Sequence, residues 1–230
     1  MGKVEDGAIK VDGDEGTAQG WAHSTNEFSK VDGGIILYFF GRFHRPPDSW
    51  GTWKGGLPEA GKSEQEGPDV GAWLEYDLAP DEALELQVGI SFVGVEQARQ
   101  NLESEIQGWD FAALRQQSED LWEAQLGALQ FEGGSLAQRK IMATALYHAF
   151  QMPGTFTDAD GSYLGLDHKV HQAEGFVYHT NFSLWDTYRT FHPLLVLLAC
   201  IRNSEISFHL SDFGHLPLLK MHAERSFRFS

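Results

Sequence analysis

Cysteine is almost missing from this chain: Cys200 is the only one among 230 residues. No disulfide can therefore form within it, and neither a cysteine-based zinc site nor a Cys-x-x-Cys redox centre is available. Sitting in an apolar run, Cys200 reads as a buried thiol. Positive charge is also short. Seventeen basic residues against thirty-three acidic give a formal charge of −16, which disfavours nucleic acid and anionic membrane surfaces as partners and is neutral toward an uncharged ligand such as a sugar. Long apolar runs are absent. The longest, around Leu194 to Ile201, is under half of the ~20 residues that a membrane-spanning helix needs, so no membrane insertion is expected. Met1-Gly2-Lys3-Val4-Glu5-Asp6 has no apolar core of a signal peptide behind it. There are no internal repeats, and no Gly-x-Ser-x-Gly, Walker-type loop or dinucleotide fingerprint.

What is present is globular material. Hydrophobic residues make up 42% and aromatics 13%, enough for a sizeable core. Seven tryptophans serve packing as readily as sugar stacking. The first ninety residues read as β structure. Leu84, Leu86, Val88, Ile90 and Phe92 alternate with Glu85, Gln87, Gly89 and Ser91, a half-buried strand with one wet face. Ala72, Leu74, Tyr76 and Leu78 alternate with Trp73, Glu75 and Asp77 in the same way. Ile35 to Phe43, apolar on both faces, predicts a central strand. Gly-rich turns such as Asp32-Gly33-Gly34 and Lys54-Gly55-Gly56 separate these runs, which is the pattern of an antiparallel β-sandwich. The strands are few for a sandwich, so early ones are expected before Met1.

At Val95 the period changes. Val95, Ala98, Leu102 and Ile106 predict a short helix; Asp110 caps a longer one carrying Phe111, Leu114, Leu121, Trp122 and Leu129. After Gly133-Gly134, Ser135 with Gln138 forms a capping box for a helix running to about Met152, closed by Pro153. The loop that follows is nearly thirty residues long, a length typical of functional or disordered segments, and too aromatic for the latter. The resulting division is 1–92 sandwich, 93–134 helical linker and 135–230 helical domain.

Three groups in that loop and beyond invite chemistry. Asp158-Ala159-Asp160-Gly161 suggests an EF-hand, but aligning its glycine puts Phe156 where the first aspartate belongs; a polar turn held by aspartate side chains is the better account. His168, His171 and His179 have no zinc spacing and no cysteine to help, so satisfied or solvent-facing histidines are the better account. Trp185 and Asp186 stand at the start of a helix with Ser183 and Asp186 as its capping box. Leu184, Tyr188, Phe191, Leu195 and Leu198 form its stripe, and Pro193 should kink it. An aromatic face beside a carboxylate suits a sugar ring and its hydroxyls; equally, Asp186 caps and Trp185 packs. Arg189, one turn on, could pair with a carboxylate or brace the site. Asn181-Phe182-Ser183 is a glycosylation sequon by chance, being against the cap.

The stretch from Gly175-Phe176-Val177-Tyr178 through Asn181-Phe182-Ser183-Leu184-Trp185-Asp186-Thr187-Tyr188-Arg189 resembles the glycoside hydrolase family 92 α-mannosidases. The resemblance runs from about Gly20 to about Leu198 and is densest from Ala145 onward. It implies calcium-dependent, exo-acting enzymes that release mannose with inversion from mannose-containing glycans. It also implies a fold in which an N-terminal β-sandwich precedes an (α/α)6 toroid. Here that would mean the sandwich, linker helices and the first toroid helices, with Trp185, Asp186 and Arg189 at the substrate. The resemblance places Trp185-Asp186 in the mannose subsite and implies a periplasmic or secreted location. Its calcium ligands and catalytic carboxylates are expected beyond Ser230.

Inverting hydrolysis needs two carboxylates roughly 6.5–9.5 Å apart, and no such pair is legible here; acids between Glu96 and Glu123 look like solvated helix faces. From about Ala199 the chain departs from the family. Residues 201–230 hold four basic and three acidic residues against thirteen and thirty before them, a balance that suggests a truncated or frame-shifted end, or else a divergent helix and loop. The expectation is an N-terminal fragment that is neither active nor well soluble alone. The alternatives are a non-catalytic carbohydrate-binding or assembly module, and another (α/α)6 glycosidase or glycan phosphorylase. Linkage, leaving sugar and oligomeric state are not encoded legibly.

Overall fold

The computed structural model describes residues 3–26, 29–180 and 184–202. Ser183, its sequon and the tail beyond Arg202 lie outside these residues, and so does the Cys200 side chain. Antiparallel sheets come first and a few helices follow. The chain divides into a β unit, residues 1–111 with 158–164 and 169–172, and a helical unit built from the rest of 112–202.

The β unit holds strands β1 (Lys3–Asp12), β2 (Thr17–Thr25), β3 (Ile35–Phe43), β4 (Ser49–Lys54), β5 (Leu57–Ala60), β6 (Glu64–Glu66), β7 (Val70–Glu75) and β8 (Leu86–Ser91). They form a five-stranded sheet in the order β6-β1-β2-β3-β8 and a three-stranded sheet in the order β5-β4-β7. The predicted central strand is β3, flanked by β2 and β8. The small sheet packs on β1 and β6, where Val11 and Thr52 are fully buried. The Trp50 indole lies so close to Gly13 that a Cβ there would be 1.8 Å from its nitrogen.

Helix α1 (Val95–Glu105) covers the opposite face, over β3 and β8. Phe40, Ala98 and Leu102 make its core with Ile106 against them, and the Arg99 guanidinium sits 4.4 Å from the centre of the Phe40 ring. Here the structure corrects the sidedness read from β8. Its polar alternates are the buried ones, Gln87 at 8% exposure and Ser91 at 2%, while Leu86, Val88 and Ile90 are each about half exposed. The cause is close approach. A Cβ at Gly89 would stand 2.1 Å from the Ala98 carbonyl, so α1 docks where β8 has no side chain. The flanking polar groups are satisfied there: Arg42 donates to Gln87 Oε1 at 2.8 Å, and Gln87 donates to the Gly108 carbonyl at 2.6 Å.

The helical unit contains α2 (Phe111–Leu126, from its second residue) and α3 (Leu136–Phe150). The Ser135–Gln138 capping box forms in both directions. Trp122 and Tyr147 lie ring to ring at 4.6 Å. Leu146 is buried, but Leu121 and Met142 are exposed. The long loop is ordered into two ladders. β9 (Gly154–Thr155) pairs with β12 (His179–Thr180) in the helical unit, and β10 (Ser162–Leu164) pairs with β11 (Val170–Gln172) in the β unit. The opening helix differs from the expectation of one kinked rod. It is a single turn, α4 (Leu184–Thr187), then a turn over 188–190, then α5 (Phe191–Arg202). Pro193 does not kink a helix interior: it lies in the first turn of α5, where its missing N–H has no intrahelical acceptor to lose. The first intrahelical bond follows it, from Leu194 N–H to the Thr190 carbonyl.

Candidate functional site

In the helical unit the loop closes on itself before reaching α4. Phe156 N–H donates to the Tyr178 carbonyl, and Tyr178 N–H donates to Thr157 Oγ1 at 2.6 Å. Tyr178 is buried, its ring 6.2 Å from that of Phe156. Burial lowers the His179 pKa against a backbone hydrogen bond with Gly154, which favours the neutral ring inside the β9–β12 ladder. A buried aromatic and a part-buried histidine thus fix the chain five residues before the described part resumes at α4.

On α4 the Trp185 side chain is 86% exposed and Asp186 is exposed beside it. Packing does not account for Trp185 among the described residues. A large indole in solvent next to an accessible carboxylate offers a stacking face and a charged acceptor, the pair that a polyhydroxylated ring requires. Arg189 lies beyond the end of α4 and is engaged locally: its Nε donates to the Tyr188 hydroxyl at 2.6 Å, with the guanidinium 5.2 Å from the Tyr188 ring centre. Tyr188, rather than a carboxylate, is the partner the structure gives it.

The aspartate turn belongs to the β unit, where it is a staple. Asp158 accepts from Ser91 Oγ and from Asn101 Nδ2, each at 2.6 Å, and Ala159 N–H donates to Asn101 Oδ1 at 2.7 Å. Burial raises the Asp158 pKa, and those two hydrogen bonds oppose the rise. Asp160 accepts from the Ser162 hydroxyl and N–H and from Gln97 Nε2; the Ser162 hydroxyl holds its carboxyl below the usual range. These carboxylates are committed to protein donors, as a polar turn requires. Sequence reasoning missed Ser91 and Asn101, which sit 67 and 57 residues from Asp158. The available signal was a serine buried on the glycine-bearing side of β8.

His168 ends up as a left-handed turn residue and His171 stacks on Tyr163 at 5.5 Å, so the loop histidines are dispersed. Among the described residues, no three His, Cys, Asp or Glu side chains converge on a metal position. Acids on α2 are paired along its surface, Glu119 with Arg115 at 2.8 Å and Asp120 with Gln116 at 2.9 Å, as solvated helix faces are.

Residues 1–91 match the glycosyl hydrolase family 92 N-terminal domain and residues 97–215 match that family's catalytic domain. The chain belongs to glycosyl hydrolase family 92. Among solved structures it is similar to a family 92 α-mannosidase from Bacteroides thetaiotaomicron, at 28% identity and a TM-score of 0.75 over 85% of this chain and 26% of that one. That enzyme has also been solved in complex with mannoimidazole. An inverting mannosidase of the same bacterium, 24% identical with a TM-score of 0.76 over 84% of this chain and 26% of that one, shares the fold. A curated relative, described as an uncharacterized secreted glycosidase of Arthroderma benhamiae, is 25% identical over 52% of this chain and 15% of its own length. The chain thus spans about a quarter of the solved relatives and less of the curated one. Among the described residues no helix is long and apolar enough to cross a membrane.

Proposed function

We propose that this chain is the sugar-facing beginning of an exo-acting, inverting, calcium-dependent α-mannosidase that trims mannose-containing glycans outside the cytoplasm. The observation that carries the reading is the solvent-exposed Trp185 indole beside the exposed Asp186 carboxylate, within the part of the chain that matches the family 92 catalytic domain. The similar Bacteroides enzyme, an α-mannosidase solved with a mannose-like inhibitor, supports mannose as the sugar, and the secreted relative supports the location.

In this reading Trp185 presents its face to the apolar side of a terminal mannose ring. Asp186 accepts hydrogen bonds from hydroxyls of the same ring, a charge-assisted contact that fixes which sugar enters and how it lies. Arg189, braced on Tyr188, keeps a positive charge three residues after Asp186 in the chain. Proton transfer to the leaving oxygen and activation of water are assigned to carboxylates outside this chain. Calcium, when bound, would supply a cation that orients hydroxyls; its ligands too are assigned outside this chain.

The test is Asp186→Asn in the whole enzyme, assayed on aryl α-mannosides and mannobioses with and without chelator. Loss of a charged hydrogen bond in the subsite should lower kcat/KM by about 2–4 kcal/mol in barrier terms, roughly 30- to 1,000-fold. Unchanged kinetics would show that Asp186 only caps α4. Absence of mannose release by the wild type would sink the mannosidase reading, and full activity in chelator would sink the calcium claim.

A further inference from the structure

Each face of the five-stranded sheet is half covered. The small sheet takes the β1–β6 half of one face, and α1 takes the β3–β8 half of the other. The face under α1 can be traced by cross-strand partners, which share a side of the sheet: Gly89 opposes Phe40, Phe40 opposes Gln19, Gln19 opposes Lys10 and Lys10 opposes Glu64. One pleat over, Tyr38 opposes Trp21, Trp21 opposes Ala8 and Ala8 opposes Glu66. Beyond the end of α1 this face is open, and there a groove of about 520 Å³ is lined by Ala8, Lys10, Gln19, Trp21, Lys54, Glu66 and neighbouring backbone, with Val95 of α1 as a wall. Its size lies within the ~300–1,000 Å³ typical of small-ligand sites.

The groove's chemistry selects its ligand. Its formal charges balance, two lysines against two glutamates: Lys10 pairs with the Glu64 carboxylate at 3.0 Å, and Lys54 donates to the Glu66 backbone carbonyl at 2.8 Å. Neither an anion nor a cation gains from entering. The floor is the face of paired strands, with β1 hydrogen-bonded on both sides, so an extended peptide finds no free edge on β1 to join. What remains is one indole, with Ala8 directly opposite leaving room above the sheet, ringed by the Gln19 amide and the lysine and glutamate side chains of the rim. That combination of an apolar platform and fixed donors and acceptors recognises a neutral polyhydroxylated ring. We propose that the Trp21 groove is a carbohydrate-binding site separate from Trp185-Asp186, taking a neutral oligosaccharide with one sugar ring seated on the Trp21 indole.

The experiment is affinity electrophoresis of the whole protein in gels containing soluble α-mannan, α-glucan or xylan, with aryl α-mannoside turnover measured in parallel. Wild type should be retarded by at least one polysaccharide. Trp21→Ala should weaken that retardation about tenfold while leaving aryl mannoside turnover unchanged, and Trp185→Ala should keep the retardation. If Trp21→Ala melts early, Gln19→Ala, which removes an amide from the floor and leaves the indole, should weaken retardation in its place. The proposal is overturned if no neutral polysaccharide retards the wild type, or if both groove variants are retarded like wild type. It is also overturned if Trp185→Ala alone abolishes retardation, since the polysaccharide then binds only at the α4 site. Because hydrolysis is read separately, failure of the mannosidase reading leaves this result interpretable.

Discussion

In the β unit, α1 lays Ala98 and Leu102 on Phe40 with none of the three more than 3% exposed. In the helical unit, α2 runs for sixteen residues without burying one of them. Both segments carry an apolar stripe in sequence, so pattern does not separate them; what each packs against does. A sheet satisfies its backbone sideways and offers a ready face, so one helix laid across it closes a core. A helix satisfies its own backbone and gains stability only when a neighbour takes its stripe. The contrast teaches that the same 3.6-residue signal reports a finished contact in α1 and an unfilled one in α2, where Leu121 is exposed, and in α5, where Leu197 is exposed and Leu195 buried.

The largest test of that contrast is proteolysis of residues 1–230 expressed alone. Cleavage should begin within 112–157 or 173–202, leaving the β unit resistant, because local opening follows the scarcity of buried apolar contacts. The β10–β11 segment should stay with the β unit after nicking, held by Asp158. By the same exposed stripes the intact chain should sediment as aggregate, and it should release no mannose. Equal protection of both units, or a soluble monomer with cooperatively melting helices, would break the comparison.

A pair of leucine truncations sharpens it. Leu102→Ala in α1 removes a side chain that is 2% exposed and should cost about 2–5 kcal/mol, the range for a buried leucine. Leu121→Ala in α2 removes the same atoms from solvent and should stay within about 0.5 kcal/mol. Denaturant melts of the two variants in one background measure both. A comparable loss for Leu121→Ala would mean that α2 has a partner in solution.

Legibility followed the same divide. Ile35 to Phe43 was readable as an inner strand because both its faces are apolar, and α1 because its stripe is real. Ser135 and Gln138 were readable as a cap because a capping box is local. The sidedness of β8 was not: alternation says that two faces differ, and only the close approach at Gly89 decides which one takes the helix. The α4–α5 break was hidden because Leu184 to Leu198 keeps helical spacing through the turn at 188–190. β1 and β2 carry no clean alternation, with Gly7, Asp6 and Lys10 interrupting the one and Gly20 the other, so the Trp21 groove could not be anticipated. At the candidate site, Trp185-Asp186 was legible as a chemical pair, whereas the Arg189–Tyr188 bond depends on α4 ending at Thr187.

The smallest effect concerns the staple that keeps part of the long loop in the β unit. Burial raises the folded-state pKa of Asp158 above its unfolded value. The folded turn therefore holds that proton more tightly, and the stability linked to it is fully present below the ordinary carboxylate value and lost as pH rises through the raised one. Asp160 runs the other way. Its folded pKa is lowered by Ser162, so its contribution is present above the ordinary value and lost as pH falls through the lowered one. The two carboxylates sit two residues apart in the same turn, and their windows meet at the ordinary carboxylate value, so protection of the wild-type hairpin should peak there and fall to either side. Asp158→Asn should leave only the loss of protection on the acid side, and Asp160→Asn only the loss on the neutral side. Both stay below about 1 kcal/mol, since these groups are partly solvated and screened. Hydrogen exchange of the β10–β11 amides, corrected for intrinsic rate at each pH, reads this directly. Slopes of the same sign in the two variants would show that the staple is not held by this pair of opposed carboxylates.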